Sequence, residues 1–130
     1  MKILRVTTTK RESMVDITDH LTAMVHEARI NSGALLVYTP HTTTGLTVNE
    51  GADPDVCRDI LAHLQRMVPK DAGFRHTEGN ADAHIKASFF GSSVHLIVDN
   101  GRLALGTWQR VFLGEFDGPR TREIWVQPLG

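Results

Sequence analysis

The sequence predicts an α+β fold: a single domain over residues 1–130 in which a largely antiparallel sheet carries two to three helices on one side. Three observations support it. Short runs rich in β-branched and aromatic residues recur along the chain at strand length. Asn100-Gly101 separates two of these runs, the signature of a two-residue hairpin turn and so of antiparallel pairing. Two other stretches, opening at Thr18 and Asp53, space their apolar residues three and four apart, as a buried helix face requires. A length of 130 residues suits one compact core.

Taken in order, Lys2 to Thr8 and Arg11 to Ile17 read as strands joined near Thr9-Lys10, with Ile3, Leu4, Val6, Met14, Val15 and Ile17 as their apolar side chains. A helix from Thr18 to Asn31 follows, with Leu21, Met24, Val25 and Ala28 on its buried face. Thr18 or Asp19 is the expected cap and Gly33 the stop. Ala34 to Thr39 is a continuous apolar run, the mark of a central strand buried on both faces. Pro40 has no N–H to donate to a ladder, so that strand ends there. Leu46 and Val48 resume as a strand. Asp53-Pro54-Asp55 is a strong helix start: a cap, a proline at the first helical position, and an acid at the positive end of the dipole. Cys57, Ile60, Leu61, Leu64 and Val68 form its apolar face, and Pro69 marks its end. Lys70 to Gly79 is a connecting loop, and Asn80 caps a short helix from Ala81 to Phe90 stopped by Gly91, with Ile85, Ser88 and Phe89 inward. Alanine spacers favour this reading over an extended one that would align His76, Glu78, Asn80, Asp82 and His84. Val94 to Asp99 and Arg102 to Leu105 form the hairpin about Asn100-Gly101. Thr107 to Phe116 is a long strand with Trp108, Phe112 and Phe116 on one face and Gln109, Val111, Leu113 and Glu115 on the other. Its second apolar face needs cover from helices or another subunit. Gly118-Pro119 turns the chain into a last strand, Arg122 to Gln127.

Composition excludes several classes of partner. Hydrophobic content of 41% and charged content of 22% are those of an ordinary globular protein. A net charge of -1 gives no overall pull toward nucleic acid or anionic lipid. Cys57 stands alone and can form no internal disulfide. The N-terminal stretch lacks the apolar core of a signal peptide, and no apolar run is long enough to span a bilayer. A cytoplasmic protein is the expectation.

Chemistry concentrates in two polar runs. His76-Thr77-Glu78-Gly79-Asn80-Ala81-Asp82-Ala83-His84 holds two imidazoles, two carboxylates and a carboxamide among small spacers. His41-Thr42-Thr43-Thr44-Gly45 begins at the end of a buried strand and leads into Asn49-Glu50. His41, His76 and His84 are the candidate metal ligands, because three imidazoles with an open position make a catalytic type of site for zinc, and magnesium or manganese are alternatives. Glu50, Asp82 and Glu78 can serve as ligands, general bases or anchors that orient the histidines. Lys86, Arg110 and Arg120 are candidate phosphate contacts. Thr42, Thr43 and Thr44, with the helix N-terminus near Asn80, add donors for an anion. Gln109 or Trp108 reaches the site while the other packs. Neither a GxxxxGK[ST] nor a GxGxxG motif occurs, which argues against a nucleotide-binding loop.

Four blocks then carry a family resemblance: His41 to Glu50, Glu78 to Lys86, Gly101 to Gln109, and Glu115 to Arg120. In this order, and over nearly the whole chain, they resemble the YjbQ-like family. The resemblance implies an α+β fold on a largely antiparallel sheet, assembled as a homotrimer. It implies a family long described as of unknown function, with members linked to a secondary, weak thiamine-phosphate synthase activity. It raises Lys86 and Arg120 above Arg110 as phosphate contacts and draws Thr43, Asn49 and Asn80 into the expected substrate site, with Glu50, Asp82 and Gln109 as the catalytic candidates. Thr77 departs from the acidic residue expected before Glu78, which removes one negative charge from that stretch.

Three functions stay open on the sequence. One is a transferase resembling thiamine-phosphate synthase, acting on a small phosphorylated molecule. The second is a metal-dependent hydrolase, with Glu50 or Asp82 as base. The third is a non-catalytic binder of a metal or small anionic metabolite.

Overall fold

Buried apolar strands dictate two sheets facing each other rather than one. The computed structural model describes residues 1–130. The strands are β1 (Lys2–Thr7), β2 (Ser13–Asp16), β3 (Gly33–Tyr38), β4 (Thr44–Glu50), β5 (Ser93–Asp99), β6 (Arg102–Leu103), β7 (Gln109–Glu115) and β8 (Thr121–Leu129). The helices are α1 (Thr18–Glu27), α2 (Pro54–Met67) and α3 (Ala81–Phe90). One sheet has five strands in the order β1-β8-β3-β5-β6, the other three in the order β2-β7-β4. Every pairing is antiparallel.

The α+β antiparallel class predicted above holds, but its layering differs. β1 and β2 do not lie in the same sheet: β1 pairs with β8 and β2 with β7, so the chain crosses between sheets after Thr7. Nor do the helices share one side. Leu21 and Val25 of α1 enter the main core beside Leu35, Val37, Leu96, Val111, Leu113, Ile124 and Val126, so α1 packs into the space between the sheets. Leu64 of α2 and Ala83 and Ala87 of α3 pack instead with Phe116 in a second cluster. That cluster answers the question raised by the two apolar faces of β7. Val111 and Leu113 face the main core, and Phe116, just past the strand, is covered by α2 and α3 of the same chain. Trp108 lies before β7 and is exposed rather than packed.

Local chemistry explains the element ends. Asp16, not Thr18 or Asp19, supplies the oxygen that accepts the Thr18 N–H, at 2.9 Å. The Thr18 hydroxyl is instead used as an acceptor for the Val111 N–H, at 2.8 Å, which ties the start of α1 to β7. α1 stops at Glu27, four residues short of the expected Asn31, and Arg29 takes a positive φ of 54°. Asp53 does cap α2, accepting the Asp55 N–H at 2.9 Å. Asn100 and Gly101, with φ of 50° and 73°, make the hairpin turn, and Val98 pairs with Leu103 across it. α3 starts and stops where the sequence places it, but Asn80 makes no side-chain cap and the inward face is different. Asp82, Ala83, Lys86 and Ala87 are buried, whereas Ile85, Ser88 and Phe89 are exposed. No helix is long and apolar enough to cross a membrane.

Candidate functional site

α3 organises the polar chemistry, because it presents different residues to its two sides. It can lie close to the three-stranded sheet because Gly45 and Gly114 are register partners on β4 and β7. A Cβ at either position would collide with Phe90. Glycine at both is therefore a packing requirement of the sheet, and it holds α3 in place.

On one side of α3 a groove of 560 Å³ opens between the helix and the end of β3. Thr39, His41 and Thr42 line it from the β3–β4 connection, His84 and Ser88 from α3, and Ser92 from the turn before β5. No carboxylate, lysine or arginine lines it. His41 is held firmly. Its Nε2 accepts the backbone N–H of Glu123 at 2.8 Å, so that nitrogen carries no proton and Nδ1 is the protonated, donating one. Burial, followed by the positive charge of Arg122, lowers the His41 pKa below its ordinary 6.5, so the ring is neutral near pH 7. The Thr39 hydroxyl accepts the His41 N–H at 3.3 Å and shares a 2.7 Å hydrogen bond with Thr44. The Ser88 hydroxyl donates to the His84 carbonyl at 3.0 Å.

Beneath His41 lies a buried charge pair. Arg122 donates through Nε to Glu115 at 2.9 Å and through Nη2 to Thr43 at 2.9 Å, and the Thr8 hydroxyl donates to the same carboxylate at 2.7 Å. Arg122 is on β8 and Glu115 on β7, so the pair joins the two sheets. Thr43 therefore supports Arg122 from a buried position instead of facing a ligand. Sequence reasoning passed over Glu115 and Arg122 as a pair. Their signal was alternation: Arg122, Ile124 and Val126 share one strand face, as do Glu115, Leu113 and Val111, and a charge in the apolar phase of a strand calls for a buried partner.

The other predicted site residues separate from the groove. Glu50 accepts the N–H groups of Ala52 and Asp53, the latter at 3.0 Å, and so closes its own turn before α2. Asn49 accepts the Glu50 N–H at 2.7 Å, and Gln109 accepts the Gly106 N–H at 2.8 Å. All three are local turn contacts in part-exposed or exposed positions, each side-chain oxygen satisfying a backbone N–H within three residues. Arg110 pairs with Asp16 at 2.7 Å and Asp19 at 3.0 Å. Asn80 donates to Asp117 at 2.9 Å, and Arg120 donates to the Asp117 carbonyl at 2.9 Å and to its carboxylate at 3.2 Å. Asp82 and Lys86 lie on the far side of α3, joined at 2.9 Å and also bonded to Arg11 and Glu12.

The three histidines do not converge as a metal triad. His76 lines a separate depression beside Lys70 and Thr77. Its Nε2 is 3.0 Å from the Asn80 carbonyl-type oxygen and 3.8 Å from Glu78, and its ring meets that of His84 edge to face at 5.3 Å. His41 has Nε2 committed to backbone. No group of three or more His, Cys, Asp or Glu side chains in the chain is arranged to hold a metal ion. Within one chain His41, His76 and His84 are thus not arranged as a three-ligand site.

Residues 2–130 match the family model described as UPF0047 protein YjbQ-like. The chain is 50% identical over 131 residues to UPF0047 protein YugU of Bacillus subtilis, covering 100% of this chain and 99% of that protein. It is 47% identical over 126 residues to UPF0047 protein MJ1081 of Methanocaldococcus jannaschii, covering 97% and 91%. Among solved structures, an uncharacterized conserved protein of the yjbq/upf0047 family from Clostridium acetobutylicum superposes with a TM-score of 0.97 at 45% identity, covering 99% of this chain and 100% of that one. A protein of unknown function from Sulfolobus solfataricus superposes at 0.94 with 34% identity, covering 99% and 95%.

Proposed function

The chain belongs to the UPF0047 YjbQ-like family, and we propose that it binds a phosphate-bearing small molecule in the groove between His41 and His84. One observation carries the reading: the groove joins a neutral, donating imidazole to His84 and to Thr42, Ser88 and Ser92, with no carboxylate among its lining residues. With the Ser88 proton used by the His84 carbonyl, the donors left to a ligand are the imidazoles and the Thr42 and Ser92 hydroxyls, and with no carboxylate beside them they suit an anion better than a bare cation.

The reaction that the family resemblance implies is thiamine-phosphate formation. An aminopyrimidine diphosphate joins a thiazole phosphate and pyrophosphate leaves. The chain's own part would be to hold phosphate oxygens and to donate hydrogen bonds toward the departing diphosphate. A divalent ion, magnesium or manganese, would enter with the diphosphate instead of residing on a histidine triad. The homotrimer belongs to the same proposal.

The test is direct. Pyrophosphate binding by calorimetry should weaken about tenfold or more in His41→Ala and in His84→Ala, as expected for losing a hydrogen bond to a charged group. Wild-type affinity in both variants would overturn the groove assignment. Incubation with the two thiamine precursors, with and without chelator, tests the transferase reading separately. No thiamine phosphate at stoichiometric protein, with binding intact, would leave a binder and discard the enzyme.

A further inference from the structure

The opposite side of α3 holds a second polar cleft, which the groove does not use. Its volume is 420 Å³, and it is lined by Arg11 and Glu12 from the β1–β2 connection, Gln65 from α2, Pro69 and Lys70 beyond it, and Lys86 from α3. An α-helix turns about 100° per residue, so Lys86 points about 200° away from His84. One ligand cannot span both.

The charges in this cleft are unusual in their placement. Lys86 has 2% of its side chain exposed, and Asp82 has none. Lys86 Nζ donates to Glu12 at 2.6 Å and to Asp82 at 2.9 Å. Arg11 donates to both Asp82 oxygens at 3.1 and 3.0 Å and to Glu12 at 3.3 Å. Gln65 Nε2 donates to the other Glu12 oxygen at 2.9 Å. Every carboxylate oxygen in the cluster is thereby satisfied from within the chain. The donors are not exhausted. An ammonium has three N–H groups and a guanidinium five, so Lys86 keeps one and Arg11 keeps Nε–H and one Nη2–H. Lys70, exposed at the rim, adds a further positive charge. Arg11 and Lys86 balance the charges of Asp82 and Glu12, so the net positive charge of the lining is that of Lys70, and the side-chain oxygen left over is Oε1 of Gln65.

We propose that the cleft of Arg11, Lys70 and Lys86 is a second site for the phosphate group of a small molecule, separate from the His41–His84 groove. Arginine and lysine donors converging from three segments suit a tetrahedral oxyanion. The volume exceeds that of a bare ion, being on the order of ten water molecules, so the cleft has room for an ester carrying the phosphate. The ion-paired Asp82 and Glu12 fix Lys86 and Arg11 in position before any ligand arrives.

The experiment is amide chemical-shift mapping on the isotope-labelled full chain, titrated with inorganic phosphate and with glycerol 3-phosphate at constant ionic strength. The Arg11, Glu12 and Lys70 amides should shift along a saturating curve of their own. Lys70→Gln should weaken that curve about fivefold, the cost of one solvent-screened charge contact, and should leave the Thr42 and Ser92 amides unmoved. His41→Ala should do the reverse, so failure of one site is distinguishable from failure of the other. Tighter binding of glycerol 3-phosphate assigns the cleft to phosphate esters, and equal binding assigns it to the free ion; both support the site. Linear or absent shifts at Arg11 and Lys70, or a curve unaffected by Lys70→Gln, would overturn it.

Discussion

Both oxygens of Asp82 accept hydrogen bonds from cations inside the protein, so its charge is bound up with the stability of the fold. Burial works to raise its pKa, but the bonds from Arg11 and Lys86 outweigh burial and hold it below the ordinary 3.8. A carboxylate depressed in the folded state contributes stability above its unfolded pKa and loses it as pH falls through the folded value. Asp82→Asn should therefore cost about 3 kcal/mol at pH 7, by leaving Lys86 and Arg11 short of a buried partner. It should also flatten the loss of stability below pH 3.8. Urea melts at pH 7 and below pH 4 check both, and a variant as stable as the parent would contradict the burial argument. His41 has the same sign of linkage from the opposite chemistry. Its folded pKa is lowered below 6.5, so the unfolded chain protonates first and stability falls as pH drops from 6.5 to the folded value. Nitrogen NMR should find Nε2 unprotonated and a midpoint below 6.5; a higher midpoint, or a proton on Nε2, would refute the Glu123 contact. At this scale the sequence was readable where spacing is local. His41 follows a proline-ended strand, and Asp82 and Lys86 are one helical turn apart. Glu12 and Gln65 were not readable, because their contact spans 53 positions and depends on how the sheets stack.

At the scale of elements, α3 shows how backbone proximity outranks side-chain hydropathy. Its ends were legible, since Gly91 with a φ of 92° stops it. Its inward face was not. Ile85 and Phe89 are larger and more apolar than Asp82 and Lys86, yet the charged pair is buried and the apolar pair exposed. The reason lies on the sheet, where Gly45 and Gly114 admit Phe90 and fix the helix rotation. Gly114→Ala should push Phe90 and α3 outward. The expected cost is about 1–3 kcal/mol for overpacking, together with weaker pyrophosphate binding because His84 moves with the helix. A Gly114→Ala protein with parental stability and affinity would show that α3 is seated some other way. The hairpin makes an independent prediction. Gly101 sits at a φ of 73° and its N–H donates to the Asn31 carbonyl at 2.9 Å. Gly101→Val should cost about 1–3 kcal/mol in backbone strain while leaving binding unchanged, as thermal melts and calorimetry would show.

For the molecule as a whole, local pattern found nearly every strand but not its neighbours. Nothing in the residues around Thr9-Lys10 marks the crossing between sheets, because strand pairing is decided by partners more than a hundred positions away, as with Lys2 and Val126. The same long-range folding changes the case for self-association. The apolar faces of β7 do not call for another subunit, since α1, α2 and α3 and the facing sheet cover them. The proposed homotrimer rests instead on the family resemblance and on apolar side chains that the single chain leaves in water. Ile97 and Trp108 are 65% and 64% exposed, Phe89 is 59% exposed, and Ile85 lies one turn from Phe89 on α3. Isolated exposed apolar residues are common, but a helix that buries its charges and exposes its isoleucine and phenylalanine offers the proposed trimer an apolar contact. A second and third copy of this chain would cover it. Light scattering of the purified protein at micromolar concentration should give three chain masses. Phe89→Glu, which touches neither core cluster, should lower that mass while the folded-state spectrum persists, because a buried unpaired charge is costly at an interface. A wild-type mass of one chain would remove the trimer. A wild-type trimer that Phe89→Glu leaves intact would remove α3 from the interface and point to Ile97 on β5 or Trp108 before β7 as the apolar contact.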